Sequence, residues 1–213
     1  MRILATLSLL LASAGALAGA QLYEPLSASV RAALQKTVAD QAAPRVTFAT
    51  QEEGRSWLAA MSKRMARFIP DAKIREDFLV SVQYEASRAG LDSQLVLGLI
   101  QVESRFNKYA VSSAGARGYM QVMPFWSKLI GTQEHNLFHL RTNLRYGCTI
   151  LRHYLDIEQG DYFRALGRYN GSLGQPQYPN LVVRAWLNEW KYPAPGGNAL
   201  RMVERGGTAP RRE

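Results

Sequence analysis

Between residues 95 and 102 the chain is apolar on nearly every side of a helix, and the run ends on a carboxylate, Glu103. A helix that is apolar all round has to be buried on most sides, so the fold must be built around it. Asp92 or Ser93 is placed to cap its N-terminus. Gly98 sits in its middle at a cost of about 1 kcal/mol in helix propensity, which points to close approach of another helix there. On helical spacing Val96, Leu99, Ile100, Glu103 and Phe106 share one face, so Glu103 stands among hydrophobic neighbours. Burial there penalises the carboxylate and raises its pKa, which is what a glycosidase requires of the acid that protonates a leaving oxygen. The alternative is a solvated Glu103 just beyond a frayed helix end, and periodicity alone leaves both readings open.

The remaining segments read as helices that enclose this one. Val30, Leu34 and Val38 support a short helix near 27–40. Residues 55–68 carry Leu58, Met61, Met65 and Phe68 on one stripe, with Lys63, Arg64 and Arg67 mostly off it, and Pro70 as a stop. Asp71 caps a helix with Ile74, Phe78, Val82 and Ala86, which Gly90 ends. After Phe106 the periodicity breaks, and Ser112, Ser113, Gly115 and Gly118 supply turn chemistry for an irregular lobe lining a cleft. Pro124 opens a short helix ended by Gly131. Asn143 is placed to cap a helix carrying Leu144, Cys148, Leu151 and Leu155, and Asp161 one carrying Phe163, Leu166 and Tyr169. In a last helix Tyr178, Val182, Trp186 and Trp190 recur every four residues. No strand-like alternation of useful length occurs, so the class is mainly α with one core.

The two ends differ in composition from this body. Arg2, an apolar run from Ile3 to Leu11 and small residues up to Ala20 have the layout of a secretory signal at 1–20, with cleavage after Ala18 or Ala20. The run is too short for a stable membrane insertion. Residues 21–70 form an N-terminal helical extension, 71–192 the main domain, and 193–213 a basic tail rich in Pro, Gly and Arg that is expected to be disordered. An exported chain is expected in the periplasm or beyond, and with Cys148 alone it makes no internal disulfide. The formal charge of +9 suits an anionic partner. Its basic residues are scattered and no helix interleaves them with aromatics, which argues against nucleic acid.

Most catalytic patterns are absent. The chain has no G-x-S-x-G, no H-E-x-x-H, no phosphate loop and no dinucleotide fingerprint. His135 and His139 alone do not make a metal site, and neither a metal nor a cofactor is expected. Residues 104–133 contain no Asp or Glu, whereas ordinary glycosidases set a second carboxylate across the sugar. Such a partner has to come from elsewhere in the chain, for example Glu134, Asp156 or Asp161, or one acid must serve twice while the substrate supplies the nucleophile.

Four motifs in order resemble one family. They are Glu103-Ser104-Arg105-Phe106-Asn107, then Gly115-Ala116-Arg117-Gly118-Tyr119-Met120-Gln121-Val122-Met123-Pro124, then Asn136-Leu137 with Asn143-Leu144-Arg145-Tyr146-Gly147, then Arg168-Tyr169-Asn170-Gly171. Together they are similar to the soluble-type (SLT) lytic transglycosylases of glycoside hydrolase family 23, over roughly residues 74–190. The resemblance implies a goose-type, lysozyme-like helical domain that cleaves the β-1,4 bond between N-acetylmuramic acid and N-acetylglucosamine without water. It makes Glu103 the single catalytic acid and base, and Tyr169 the tyrosine whose hydroxyl lies against it. It implies substrate contacts from Ser104, Ser112, Met120, Gln121, Tyr169 and Asn170. Peptidoglycan glycan strands are then the partner, together with proteins of the cell-wall machinery, and the chain is expected to be a monomer. Tyr119 departs from the family's usual Leu, as a sugar-stacking surface or as core, and Gly167-Arg168 stands where small apolar residues are common. The other readings are a water-using muramidase or chitinase on the same fold, and a wall-binding assembly component.

Overall fold

A computed structural model describes residues 21–39, 42–45, 47–132 and 134–192; the expected signal and basic tail lie outside them. In chain order come α1 (Ala28–Ala39), α2 (Gln51–Met65), α3 (Ala72–Arg88), α4 (Ser93–Ser104), α5 (Phe125–Ile130), α6 (Leu140–Ile157), α7 (Tyr162–Asn170) and α8 (Gln177–Arg184). A π-helical segment, Ala185–Trp190, continues α8. Among the described residues β structure is limited to two isolated bridges, Val111 to Arg117 and Arg117 to Val122, within the lobe.

The apolar run forms α4, whose Leu95, Val96, Leu97, Leu99 and Ile100 are all fully buried. Asp92 caps it by accepting from the backbone N–H groups of Gln94 and Leu95. The predicted close approach at Gly98 is to Trp186: a Cβ added there would meet the Trp186 backbone nitrogen at 2.8 Å. The absence of a side chain thus lets α4 lie directly on the π segment. Gln101 locks the pair, accepting from Trp190 Nε1 at 2.7 Å and donating to Glu189 Oε1 at 2.8 Å. A strict four-residue repeat runs ahead of an α-helix by about 40° per step. The wider turns that begin at Ala185 keep Trp186 and Trp190 on the side already buried by Tyr178 and Val182.

Other boundaries moved for local reasons. Helix α2 begins four residues before the expected Arg55, because Thr50 and Glu53 form a reciprocal capping box. Its buried side is Trp57, Met61 and Met65, with Leu58 at the margin. Asp71 and Asp161 cap α3 and α7 as expected. Ile74 is solvent-exposed although it lies on the apolar stripe of α3, since it precedes the turn that reaches the core. Asn143 does not cap α6: that helix starts at Leu140, after His139, and Asn143 is in its first turn, fully buried.

The N-terminal extension shares the core rather than forming one of its own, with Val38, Trp57, Met61 and Met65 packed into the same cluster as α3, α4 and α6. Polar side chains of the main domain grip its backbone. Arg88 donates to the Thr37 carbonyl at 2.7 Å and Arg145 to that of Val38 at 3.4 Å, two cations at the C-terminus of α1. Further on, Gln83 accepts from Thr47 N–H at 2.9 Å and donates to the Thr47 carbonyl at 3.0 Å.

Candidate functional site

Glu103 lies in the last turn of α4 and is 8% exposed. The helix ends one residue later, and Arg105 and Phe106 both adopt left-handed backbone angles, φ 50° and 63°. Two successive non-glycine residues in this region are strained, and such strain persists only where the surroundings enforce it. Here the Phe106 ring is held among Phe68, Phe78 and Trp190 at centroid distances of 4.7, 5.8 and 5.5 Å. The abrupt reversal leads the chain straight from Glu103 into the lobe.

Burial pushes the Glu103 carboxyl up to about 8, opposed in part by a hydrogen bond from the Tyr178 hydroxyl. Tyr178 comes from α8 and is itself buried, and both burial and the neighbouring Glu103 charge push its hydroxyl well above its ordinary value. Among the described residues no cation compensates Glu103, so the neutral acid is its stable form near pH 7. The three carboxylates that the sequence offers as partners are engaged elsewhere. Asp161 caps α7, Asp156 pairs with Arg152 on the surface, and Glu134 is exposed beside His135.

The tyrosine assignment changes with the structure in hand. The hydroxyl against Glu103 belongs to Tyr178, whereas Tyr169 donates to the Met120 carbonyl at 2.7 Å. Tyr169 is a near neighbour all the same: burial pushes its hydroxyl well above the ordinary value, the Glu103 charge adds to this, and the Gln21 side chain opposes it. Nothing in the sequence separates Tyr178 from the core stripe it shares with Val182, Trp186 and Trp190, and the choice between the two tyrosines depends on how α7 and α8 dock.

The remaining motif residues hold the lobe. Ser104 donates to the Tyr119 carbonyl at 2.7 Å. Gln121, at φ 48°, donates its amide hydrogens to the carbonyls of Ala110 and Gly118 at 3.1 and 2.9 Å. Asn143 accepts from Met120 N–H at 2.8 Å and donates to the carbonyls of Arg117 and Leu137, both at 2.8 Å. Gly118 is confined against that amide, since a Cβ there would meet Asn143 Nδ2 at 2.5 Å. These side chains satisfy buried backbone groups that an irregular segment cannot pair within itself. Met120 is fully buried, against Gly147, so its thioether does not line the cleft as the motif suggested. Tyr119 is core as well, edge-on to Phe78 at 4.9 Å. Asn170 is buried and donates to Ser172. Ser112 is half-buried, and its hydroxyl oxygen accepts from Ala116 N–H at 3.1 Å.

Among the described residues no three His, Cys, Asp or Glu side chains are grouped as metal ligands, and no helix is long and apolar enough to cross a membrane. With its carboxyl held protonated by burial, Glu103 can deliver and take back one proton beside the polar loop.

The family described as Transglycosylase SLT domain matches residues 81–180, which run from α3 into α8 and include both Glu103 and Tyr178. A transglycosylase of Enterobacteria phage PRD1 is 36% identical over 106 residues, 46% of this chain and 39% of the relative. Membrane-bound lytic murein transglycosylase C of Haemophilus influenzae is 49% identical over 47 residues, 22% of this chain and 13% of that protein, and its counterpart in Mannheimia succiniciproducens matches equally. The chain thus spans well under half the length of these relatives.

Proposed function

We propose that this chain, whose residues 81–180 match the transglycosylase SLT domain, is a lytic transglycosylase of murein glycan strands. The observation that carries the reading is Glu103: a buried carboxyl with a pKa of about 8, a tyrosine hydroxyl on Oε1 and no second carboxylate beside it among the described residues. Such a group is protonated at neutral pH and suited to act as general acid.

The reaction follows from having one acid. Glu103 gives its proton to the oxygen that links N-acetylmuramic acid to N-acetylglucosamine, and the bond from that oxygen to the muramyl C1 breaks. Positive charge develops at C1, and the carboxylate now formed takes the proton of the muramyl C6 hydroxyl. The freed C6 oxygen bonds to C1, closing a 1,6-anhydro ring and returning Glu103 to its protonated state. No water is consumed, and each turnover leaves the acid ready for the next. Tyr178 fixes the carboxyl and steadies its anionic phase, leaving Oε2 for the sugar. Ser112 supplies a hydroxyl to the substrate, while Ser104 and Gln121 shape the lobe against which it lies and Asn170 braces the turn after α7. An exported chain with a cationic surface would meet this polymer in the cell wall.

Digestion of purified murein sacculi tests the proposal. Anhydromuramyl products are expected; reducing products one water heavier would instead indicate a hydrolytic muramidase, and no release of either would indicate a wall-binding component.

A further inference from the structure

Residues 21–24 do not simply precede the fold but end against the site. Gln21 is 4% exposed, although it opens the described chain and is a polar residue in an extended segment. Its carboxamide is held at two points by the backbone of the lobe: Oε1 accepts from Met123 N–H at 3.1 Å and Nε2 donates to the Gln121 carbonyl at 3.3 Å. The same carboxamide bears on the Tyr169 hydroxyl, which also feels the charge of Glu103, so all three side chains share one neighbourhood. Neither backbone group is used in the helices or bridges around it, and together they read a planar amide, one donor and one acceptor from the same group.

A 2-acetamido sugar presents that pair of groups, an N–H and a C=O on one plane. We propose that the Gln121 carbonyl and Met123 N–H form an acetamido-binding point of the saccharide cleft, and that Gln21 occupies it in cis as a stand-in for the sugar. The inference rests on the glycan-cleaving reading above. Segment 21–24 is accordingly a strap that a substrate displaces.

Its other fastenings suit a displaceable element. Leu22 and Tyr23 are 60% and 61% exposed, so little apolar surface holds the strap down. Tyr23 touches Phe125 only edge-on, at 5.6 Å between centroids. Glu24 pairs with Arg168 at 2.9 Å, but both side chains are partly solvated and Arg168 is shared with Glu158. Solvated ion pairs contribute little. The strap is therefore anchored chiefly by the two amide hydrogen bonds that a substrate can replace one for one.

The test measures binding apart from turnover. The tetramer of N-acetylglucosamine is titrated calorimetrically into the full chain carrying Glu103→Gln, with and without Gln21→Ala. Loss of the internal competitor is expected to tighten binding roughly five-fold, the scale of two modest hydrogen bonds. Glu24→Ala, which loosens the strap without touching the carboxamide, should act in the same direction to a smaller extent. The de-N-acetylated glucosamine tetramer should gain nothing from either change. Unchanged or weaker binding after Gln21→Ala would overturn the proposal and make Gln21 a support of the lobe. An equal gain for both tetramers would overturn the acetamido assignment. Because products are read separately, in the digestion of sacculi, a failure of this strap and a failure of the lytic reading give different results.

Discussion

Among the described residues, Glu85 and Glu103 are both buried and are treated in opposite ways. Glu85, in α3, has a fully buried side chain that Arg145 meets at 3.0 Å, Arg88 at 3.2 Å and Arg141 at 3.9 Å. Glu103 is buried nearly as well, and among the described residues its polar partner is a neutral hydroxyl. The first carboxylate is compensated by cations that in turn grip the carbonyls of α1, so its charge serves the join between the extension and the main domain. The second has no counterion among the described residues, and desolvation leaves the proton in place. A counterion makes a buried carboxylate structural; its absence makes one a proton donor.

This contrast can be broken in order of expected effect. Glu103→Gln should lower turnover of sacculi by about 10³-fold or more while the circular dichroism spectrum and melting curve are kept, since an acid is removed but no ion pair is broken. Anhydro product formation at the parental rate would remove Glu103 from the chemistry. The second test concerns pH. Because the folded carboxyl, at about 8, lies above the ordinary value of 4.5, the folded state holds a proton that the unfolded chain has released between these values. The stability associated with Glu103 is complete below pH 4.5 and is lost as pH rises towards 8. Relative to Glu103→Gln, the parental chain should lose roughly 4 kcal/mol over that window in urea unfolding. Parallel stability profiles would show that Glu103 is not held neutral by the fold.

Glu85→Gln should act in the other currency, costing about 3 kcal/mol of unfolding free energy because it leaves buried guanidinium groups uncompensated. A melting temperature equal to the parental one would mean that the arginine cluster does not depend on it. Tyr178→Phe is the smallest change. It removes a hydrogen bond that favours the Glu103 anion, so the alkaline fall of the pH–rate profile should move to higher pH while the rate drops roughly ten-fold. Tyr169→Phe should leave that alkaline limb closer to its parental position, because its hydroxyl bonds the Met120 carbonyl.

The helices were legible because their signals are local. Asp71, Asp92 and Asp161 cap helices within three residues of themselves, and the apolar run of α4 dictated its own burial. Gly98 announced a close contact without identifying Trp186 as the other side of it. Asn143 was misread as a cap because capping residues and buried loop clamps are the same residue types; only its three bonds to distant backbone groups distinguish them. Thr50 and Glu53 carry a capping box, which opens α2 at Gln51, four residues ahead of the expected start.

The sequence by itself determined a mainly helical chain, a buried central helix, and a lone acid at its end with no carboxylate in the thirty residues that follow. These depend on residue type and short spacing, which the chain carries wherever it folds. Which hydroxyl reaches Glu103, and what fills the lobe beside it, were decided by tertiary structure alone. Tyr178 stands 75 residues from Glu103 and Gln21 stands 100 from Gln121, and their meeting depends on how helices dock rather than on any pattern along the chain.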